Sequence, residues 1–211
     1  MSTRKAPTAP QQVRSQAREQ PRKHLRNQVR IGGGLWRGRK LDFPAVAGLR
    51  PTPDRVRETL FNWLAPVTPG CRCLDLDAGS GALGFEAASR GAAEVVLVER
   101  DAHVAKSLRD NQQRLEATQI QIVQADALQF LKGTPRPFDV VLIDPPFGQG
   151  LLEAALAAFA QGGWLAPSAW IYLEAERALT SEALSALLPE GFELYRSKVA
   201  GQVGYHLARR L

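Results

Sequence analysis

From residue 71 onward, short apolar runs alternate with stretches of helical spacing, and that alternation leaves few folds open. CRCLDL (71–76), EVVLVE (94–99), IQIVQ (120–124) and FDVVLID (138–144) read as strands. The spacing between them predicts helices over 82–90, 101–117 and 126–132. Beyond them it predicts a helix over 150–161, a strand near 169–174 and a helix over 180–188. Successive βα units build a parallel sheet with helices on both faces. The chain ends in FELYRSKVA and QVGYHLARR, two strand-like runs joined tightly around Gly201, so an antiparallel hairpin is expected at the sheet edge. With 211 residues there is room for one sizeable α/β domain plus an extension.

The extension is basic. Residues 1–40 hold eleven Lys or Arg against one acid, Glu19, a net +10; the remaining 171 residues hold 16 basic and 20 acidic, a net −4. A basic arm on a mildly acidic body is the footprint of a nucleic-acid partner. Residues 1–28 are too poor in apolar side chains to fold alone and are expected to be disordered when free. Order is predicted from VRIGGGLWRGRKLDFP (29–44), a small β-hairpin around Gly32-Gly33-Gly34 that presents Arg37, Arg39 and Lys40. In LRPTPDRVRETLFNWLAP, Thr52 is placed to cap a helix with Pro53 at its first position. Val56, Leu60, Phe61, Trp63 and Leu64 form its core stripe, with Arg50, Arg55 and Arg57 near the other faces.

No apolar run approaches the length of a membrane span, and no apolar stretch of secretory type follows the N-terminal charges. The two cysteines, Cys71 and Cys73, lie on one face of a strand without His or Cys partners at metal spacing, so neither a disulfide nor a metal site is expected. A reducing cytoplasm suits them.

LDLDAGSGALG joins the first of these strands to its helix and carries Gly79, Gly81 and Gly84 as G-x-G-x-x-G, with Ala78 and Ser80 between. That pattern fits a dinucleotide, and it fits S-adenosylmethionine. Asp75 separates the two, because a carboxylate sits badly beside a pyrophosphate and well beside an ammonium and a sulfonium. Glu99, followed by Arg100, ends the second strand, where a carboxylate faces the ligand crevice and can accept both ribose hydroxyls. Asp126 ends the third strand. It can accept from an adenine amino group while the Ala127 N–H meets a ring nitrogen, and it is equally suited to cap the next helix.

The fourth strand stops on Asp144-Pro145-Pro146-Phe147. An exocyclic amine is a poor nucleophile because its lone pair is delocalised into the base. A carboxylate and a backbone carbonyl accepting its two N–H groups pull the nitrogen toward tetrahedral geometry and help manage the released proton. The prolines hold that carbonyl without offering a competing N–H, and Phe147 gives the base a ring to stack on. These residues point to methyl transfer onto an amine of a nucleobase.

On those residues the chain resembles the S-adenosylmethionine-dependent amino-methyltransferases with a [DNS]-PP-[YFW] motif, and more closely the bacterial 16S rRNA guanine-N2 methyltransferases. The carriers are RIGGGLWRGRKL (30–41), GLRPTPDRVRETLFNWL (48–64), AGSGALGFEAASRGA (78–92), the DPPF motif and KVAGQVGYHL (198–207). The resemblance implies a Rossmann-like class I domain over 51–211 with a seven-stranded sheet, and a hairpin extension over 29–50 that meets RNA through Arg30, Arg37, Arg39, Lys40 and Arg50. It implies that Asp75, Ala78, Gly79, Ser80, Gly81, Glu99, Arg100, Asp126 and Ala127 bind the cofactor, with Thr52 and Arg55 near its methionine end. Asp144 to Phe147 are implied as catalytic, the small ribosomal subunit as partner, and the chain as a monomer without a metal. One departure stands out. The family loop reads F-A-G-S-G, and here an acid, Asp77, replaces the aromatic, adding a second negative charge near Asp75. Adenine-N6 methylation of DNA or RNA, a nicotinamide-dependent dehydrogenase and a non-catalytic ribosome assembly factor are the competing readings.

Overall fold

The computed structural model describes residues 26–211, so the expected disorder of the basic arm lies almost wholly outside the described residues. Arg26–Arg30 (β1) and Lys40–Pro44 (β2) pair antiparallel as a separate two-stranded sheet. The first strand therefore begins inside the segment assigned to the tail. Helix α1 follows at Asp54–Trp63. The main body then runs β3 (Arg72–Asp75), α2 (Ala82–Ser89), β4 (Glu94–Glu99), α3 (Ala102–Leu115), β5 (Ile120–Gln124), α4 (Ala127–Phe130) and β6 (Phe138–Ile143). It closes with α5 (Leu151–Ala160), β7 (Leu165–Glu176), α6 (Ser181–Leu187), β8 (Phe192–Ala200) and β9 (Val203–Arg210).

The sheet has seven strands in the order β5-β4-β3-β6-β7-β9-β8. Pairs from β5 through β7 are parallel, and β9 runs antiparallel between β7 and β8. β7 is longer than the strand expected near 169–174, because residues 165–168 at its start and Ala175 and Glu176 at its end also belong to it. Strand order reverses at β3, which pairs with β4 on one side and β6 on the other. That switch point opens a crevice at the carboxyl ends of β3 and β6.

Strand residues alternate between two cores. Cys73, Leu97, Val140, Leu142, Tyr172 and Leu207 pack with α1, α2 and the extension. Leu74, Val98, Val141, Ile143, Ile171 and Leu173 pack with α4, α5 and α6. Both cysteines are free and buried, and burial pushes the Cys71 thiol up to about 12.

The Gly32-Gly33-Gly34 segment does not form a free hairpin tip. It lies against the end of α2: Leu35 N–H donates to the Ser89 carbonyl at 2.7 Å, Trp36 N–H to Ser89 Oγ at 2.9 Å, and Ser89 Oγ to the Gly33 carbonyl at 2.6 Å. Gly34 has φ +75°, and a Cβ there would fall 1.8 Å from the Ser89 carbonyl oxygen. Beneath this contact sits a buried ionic cluster. Arg57, expected on an outer face, is 2% exposed. Its guanidinium donates to Glu86, to Asp54 and to the carbonyls of Arg30 and Thr52. Glu86, also buried, accepts from Gly32 N–H and Arg90 as well. Four hydrogen bonds from one cation and both oxygens of one anion thus tie the extension, α1 and α2 into one piece.

Candidate active site

The glycine loop closes around its own backbone. Ala78 N–H donates to the Val98 carbonyl at 2.9 Å and Gly81 N–H to the Ala78 carbonyl at 2.7 Å. Gly81 precedes α2 at φ +77°, and a Cβ there would meet Phe85 and Leu108 within 3.0 Å. Ser80 is buried and its Oγ accepts from Ala82 N–H, so its side chain serves the loop. Asp75 is buried at the end of β3, and its Oδ2 accepts from Gly84 N–H at 2.9 Å. That N–H belongs to the first turn of α2. A buried carboxylate at that helix N-terminus stands where a pyrophosphate would have to approach, which disfavours the dinucleotide reading.

Glu99 joins two loops at the end of β4, accepting from Gly79 N–H at 3.0 Å and from Asp101 N–H at 2.7 Å. Asp126 caps α4, with Oδ1 accepting from both Leu128 and Gln129 N–H groups. Its Oδ2 makes no side-chain hydrogen bond among the described residues, so capping and acceptance of a ligand amine are compatible. Ala127 is buried as the first residue of α4. Arg100 is exposed beside Asp77.

Asp77 is half-buried rather than turned to solvent. Burial, then Glu99, lifts its carboxyl to about 7, with Arg100 pulling it down and Asp126 pushing it up. Burial lifts Asp75 to about 7 as well; the Gly84 bond opposes this, and Asp77 and Glu99 add to it. Asp77 thus adds to a crevice rich in carboxylates whose proton affinity is raised when no cation is bound.

Asp144 stands at the switch point. Asp75 pairs with Leu142, and Asp144 lies two residues farther on the same side of β6. Thr52 was expected to cap α1. Instead Pro53 holds that position without a side-chain cap, and the buried Thr52 hydroxyl donates to Asp144 Oδ2 at 3.3 Å. The physical reason is Arg57, whose Nε binds the Thr52 carbonyl at 3.1 Å and turns the residue toward β6. Arg55 is exposed on α1, and its side chain makes no hydrogen bond among the described residues.

The motif signals missed one carboxylate. Glu174 on β7 is 5% exposed, and its Oε1 accepts from the Tyr172 hydroxyl at 2.8 Å. Its neighbour Leu173 pairs with Ile143, so Glu174 comes beside Asp144. Burial pushes the Asp144 carboxyl well up; Glu174 and Asp75 add to the push, and the Thr52 hydroxyl opposes it. Glu174 is raised by its own burial, against the hydroxyls of Tyr172 and Thr52. An acid inside the apolar run WIYLEAE was the available signal. Next to the pair lies a cavity of about 330 Å³ lined by Pro145, Pro146, Phe147, Leu152, Glu174 and Leu179. Phe147 is 39% exposed at its edge.

Arg30, Arg37, Arg39, Lys40 and Arg50 are all exposed. Among the described residues no group of three or more metal-ligating side chains occurs, and no helix is long and apolar enough to cross a membrane.

A reversed strand order at β3, a buried carboxylate bonded to the first turn of the helix after the glycine loop, and carboxylates at successive strand ends define a class I methyltransferase that uses S-adenosylmethionine. The family model described as "Conserved hypothetical protein 95" matches residues 29–209, and the chain belongs to that family. The chain is 50% identical over 183 residues to ribosomal RNA small subunit methyltransferase D of Escherichia coli K12, covering 87% of this chain and 90% of that one. It superposes on the solved structure of yhhF from Escherichia coli with a TM-score of 0.77 at 49% identity, covering 87% and 98% of the two chains. It also matches a Thermus thermophilus 16S rRNA N2 G1207 methyltransferase solved with AdoMet and guanosine, with a TM-score of 0.67 at 26% identity, over 88% of this chain and 50% of that one.

Proposed function

We propose that this enzyme transfers a methyl group from S-adenosylmethionine to the exocyclic N2 amine of one guanine in the 16S rRNA of the small ribosomal subunit. The carrying observation is the placement of Asp144-Pro145-Pro146-Phe147 at the end of β6, one strand from Asp75 and the glycine loop and open to a base-sized cavity. Half-identity to a small-subunit rRNA methyltransferase supports the RNA substrate, and the likeness to a guanine-N2 enzyme solved with guanosine supports the base and the amine.

The residues present fit the cofactor. A ligand carrying an ammonium and a sulfonium suits carboxylates at Asp75 and Asp77, a ribose suits Glu99, and an adenine amine suits the free oxygen of Asp126. When bound, it supplies a methyl carbon activated by positive sulfur. The protein's own part is positioning. The target guanine leaves its stack, and Phe147 holds one face of it. Asp144 and a proline-held carbonyl accept the two amine hydrogens, so the nitrogen lone pair points along the line of attack. The N–C bond forms as the S–C bond breaks, and the amine proton leaves toward Asp144, whose raised affinity for a proton suits that task. Thr52 fixes the Asp144 carboxyl through its hydroxyl. The basic side chains of residues 29–50 bind rRNA phosphates in a sequence-independent way. The enzyme works as a cytoplasmic monomer.

The test is methyl transfer from labelled S-adenosylmethionine to small subunits lacking the modification, followed by nucleoside identification, with Asp144→Ala alongside. N2-methylguanosine at one position, lost in the variant while cofactor binding persists, is the expected result. Label in N6-methyladenosine overturns the substrate assignment; undiminished transfer by Asp144→Ala overturns the role of that residue.

A further inference from the structure

Three carboxylates line the cavity beside the DPPF motif. Glu153 and Glu176 are exposed, whereas Glu174 is 5% exposed and held from behind by Tyr172, itself 0% exposed. A surface acid needs no explanation. A carboxylate that β7 carries inward, fixed through one oxygen and aimed at the space beside Asp144, does. Nothing in the transfer chemistry requires a second carboxylate there. One acceptor and a carbonyl already satisfy both hydrogens of the amine.

The requirement comes from the base. The Watson–Crick edge of guanine presents N1–H next to the N2 amine, a row of donors. 2-Aminopurine presents the same amine next to a bare N1 lone pair, and adenine presents its own amine beside that N1 lone pair. Two carboxylates side by side complement only the first edge. We infer that Glu174 is the specificity-determining residue of this site: its inward carboxylate accepts the N1–H of the target guanine while Asp144 accepts from the adjacent N2 amine. The Thr52 hydroxyl, bonded to Asp144 and close to Glu174, spaces the two carboxyl groups. An N1 lone pair placed against Glu174 meets a carboxylate oxygen instead of a donor, and burial denies it water. Asp144 thus selects an amine and Glu174 selects guanine. This assignment rests on the guanine-N2 reading above.

The experiment compares transfer to small subunits assembled on rRNA carrying guanine or 2-aminopurine at the modified position, for wild type, Glu174→Gln and Tyr172→Phe. Both bases offer the reacting amine, so only N1 differs. Wild type is expected to prefer guanine on the order of 10⁴-fold in kcat/KM, the range for sites built to bond a group that the analogue lacks. Glu174→Gln can offer an amide N–H to a bare N1, and the preference should fall to about 100-fold or less. Tyr172→Phe removes the hydroxyl that favours the ionised form of Glu174, and a more protonated Glu174 should also narrow the preference. S-adenosylmethionine binding by each variant reports an intact fold. A preference unchanged in both variants, or equal losses on both bases, overturns the inference and leaves Glu174 a structural acid. Failure of wild type to modify guanine at N2 overturns the underlying reading instead.

Discussion

The pH dependence of cofactor binding follows from one buried and one half-buried carboxyl group, Asp75 and Asp77. Asp75 is 2% exposed, and burial moves it from 3.8 to about 7. Each unit is worth about 1.4 kcal/mol, so ionising it in the empty protein costs about 4 kcal/mol. The folded protein binds this proton more tightly than the unfolded chain. Stability is therefore complete below about 3.8 and declines as pH rises from there to about 7. A cation-bearing ligand needs the ionised form, so binding has the opposite slope: affinity rises with pH up to about 7 and then levels. Below that point one obligatory deprotonation weakens binding about tenfold per pH unit, and up to about a hundredfold per unit if Asp77 must ionise with it. Titration calorimetry between pH 5.5 and 8.5, in two buffers of different ionisation enthalpy, reads the slope and the protons released together. Asp77→Asn should lower the transition, because Asp77 adds to the upward push on Asp75. A dissociation constant flat across that range, with no buffer-dependent enthalpy, would refute the reasoning.

Gly34→Ala places a Cβ against the Ser89 carbonyl at positive φ and should lower stability by about 3 kcal/mol, whereas Gly38→Ala, at φ +82° in open space, should lose only about 1 kcal/mol; thermal melts of the pair separate packing from backbone strain. Arg57→Met removes one of the two cationic partners of buried Glu86 and leaves its Oε2 short of a donor, so chemical denaturation should show a loss of about 3 kcal/mol, with part of it recovered by Glu86→Gln in the same chain. Replacing Arg37, Arg39 and Lys40 together by Gln should flatten the salt dependence of rRNA binding by about one unit of slope per lost phosphate contact, and an intact slope would remove them from the interface.

Much of this molecule could be read along the chain because its signals are local. The strands that carry Asp75, Glu99 and Asp144 are apolar runs ended by acids, and a strand end in an open α/β sheet is a site by topology alone. The DPPF segment declared an amine chemistry through four consecutive residues. The hairpin, the βα alternation and the terminal antiparallel pair were legible from periodicity, with boundaries moving by a few residues where ladder bonds extended past the apolar centre, as in β7.

Pairings between distant segments had no such signal. Thr52 looked like a helix cap because Thr-Pro-Asp fits one; the Arg57 bond to its carbonyl, set by a buried ion pair with Glu86, decides that its hydroxyl meets Asp144 instead. Gly34 looked like a turn residue, and the close approach of the α2 end explains it. Glu174 looked like one acid in a strand until β7 was laid beside β6. Local composition dictates which chemistry a chain can carry, since propensity and periodicity act over a few residues. Which side chains share a proton, a pocket or a carbonyl depends on contacts across 92 residues, as between Thr52 and Asp144, and only packing brings those together.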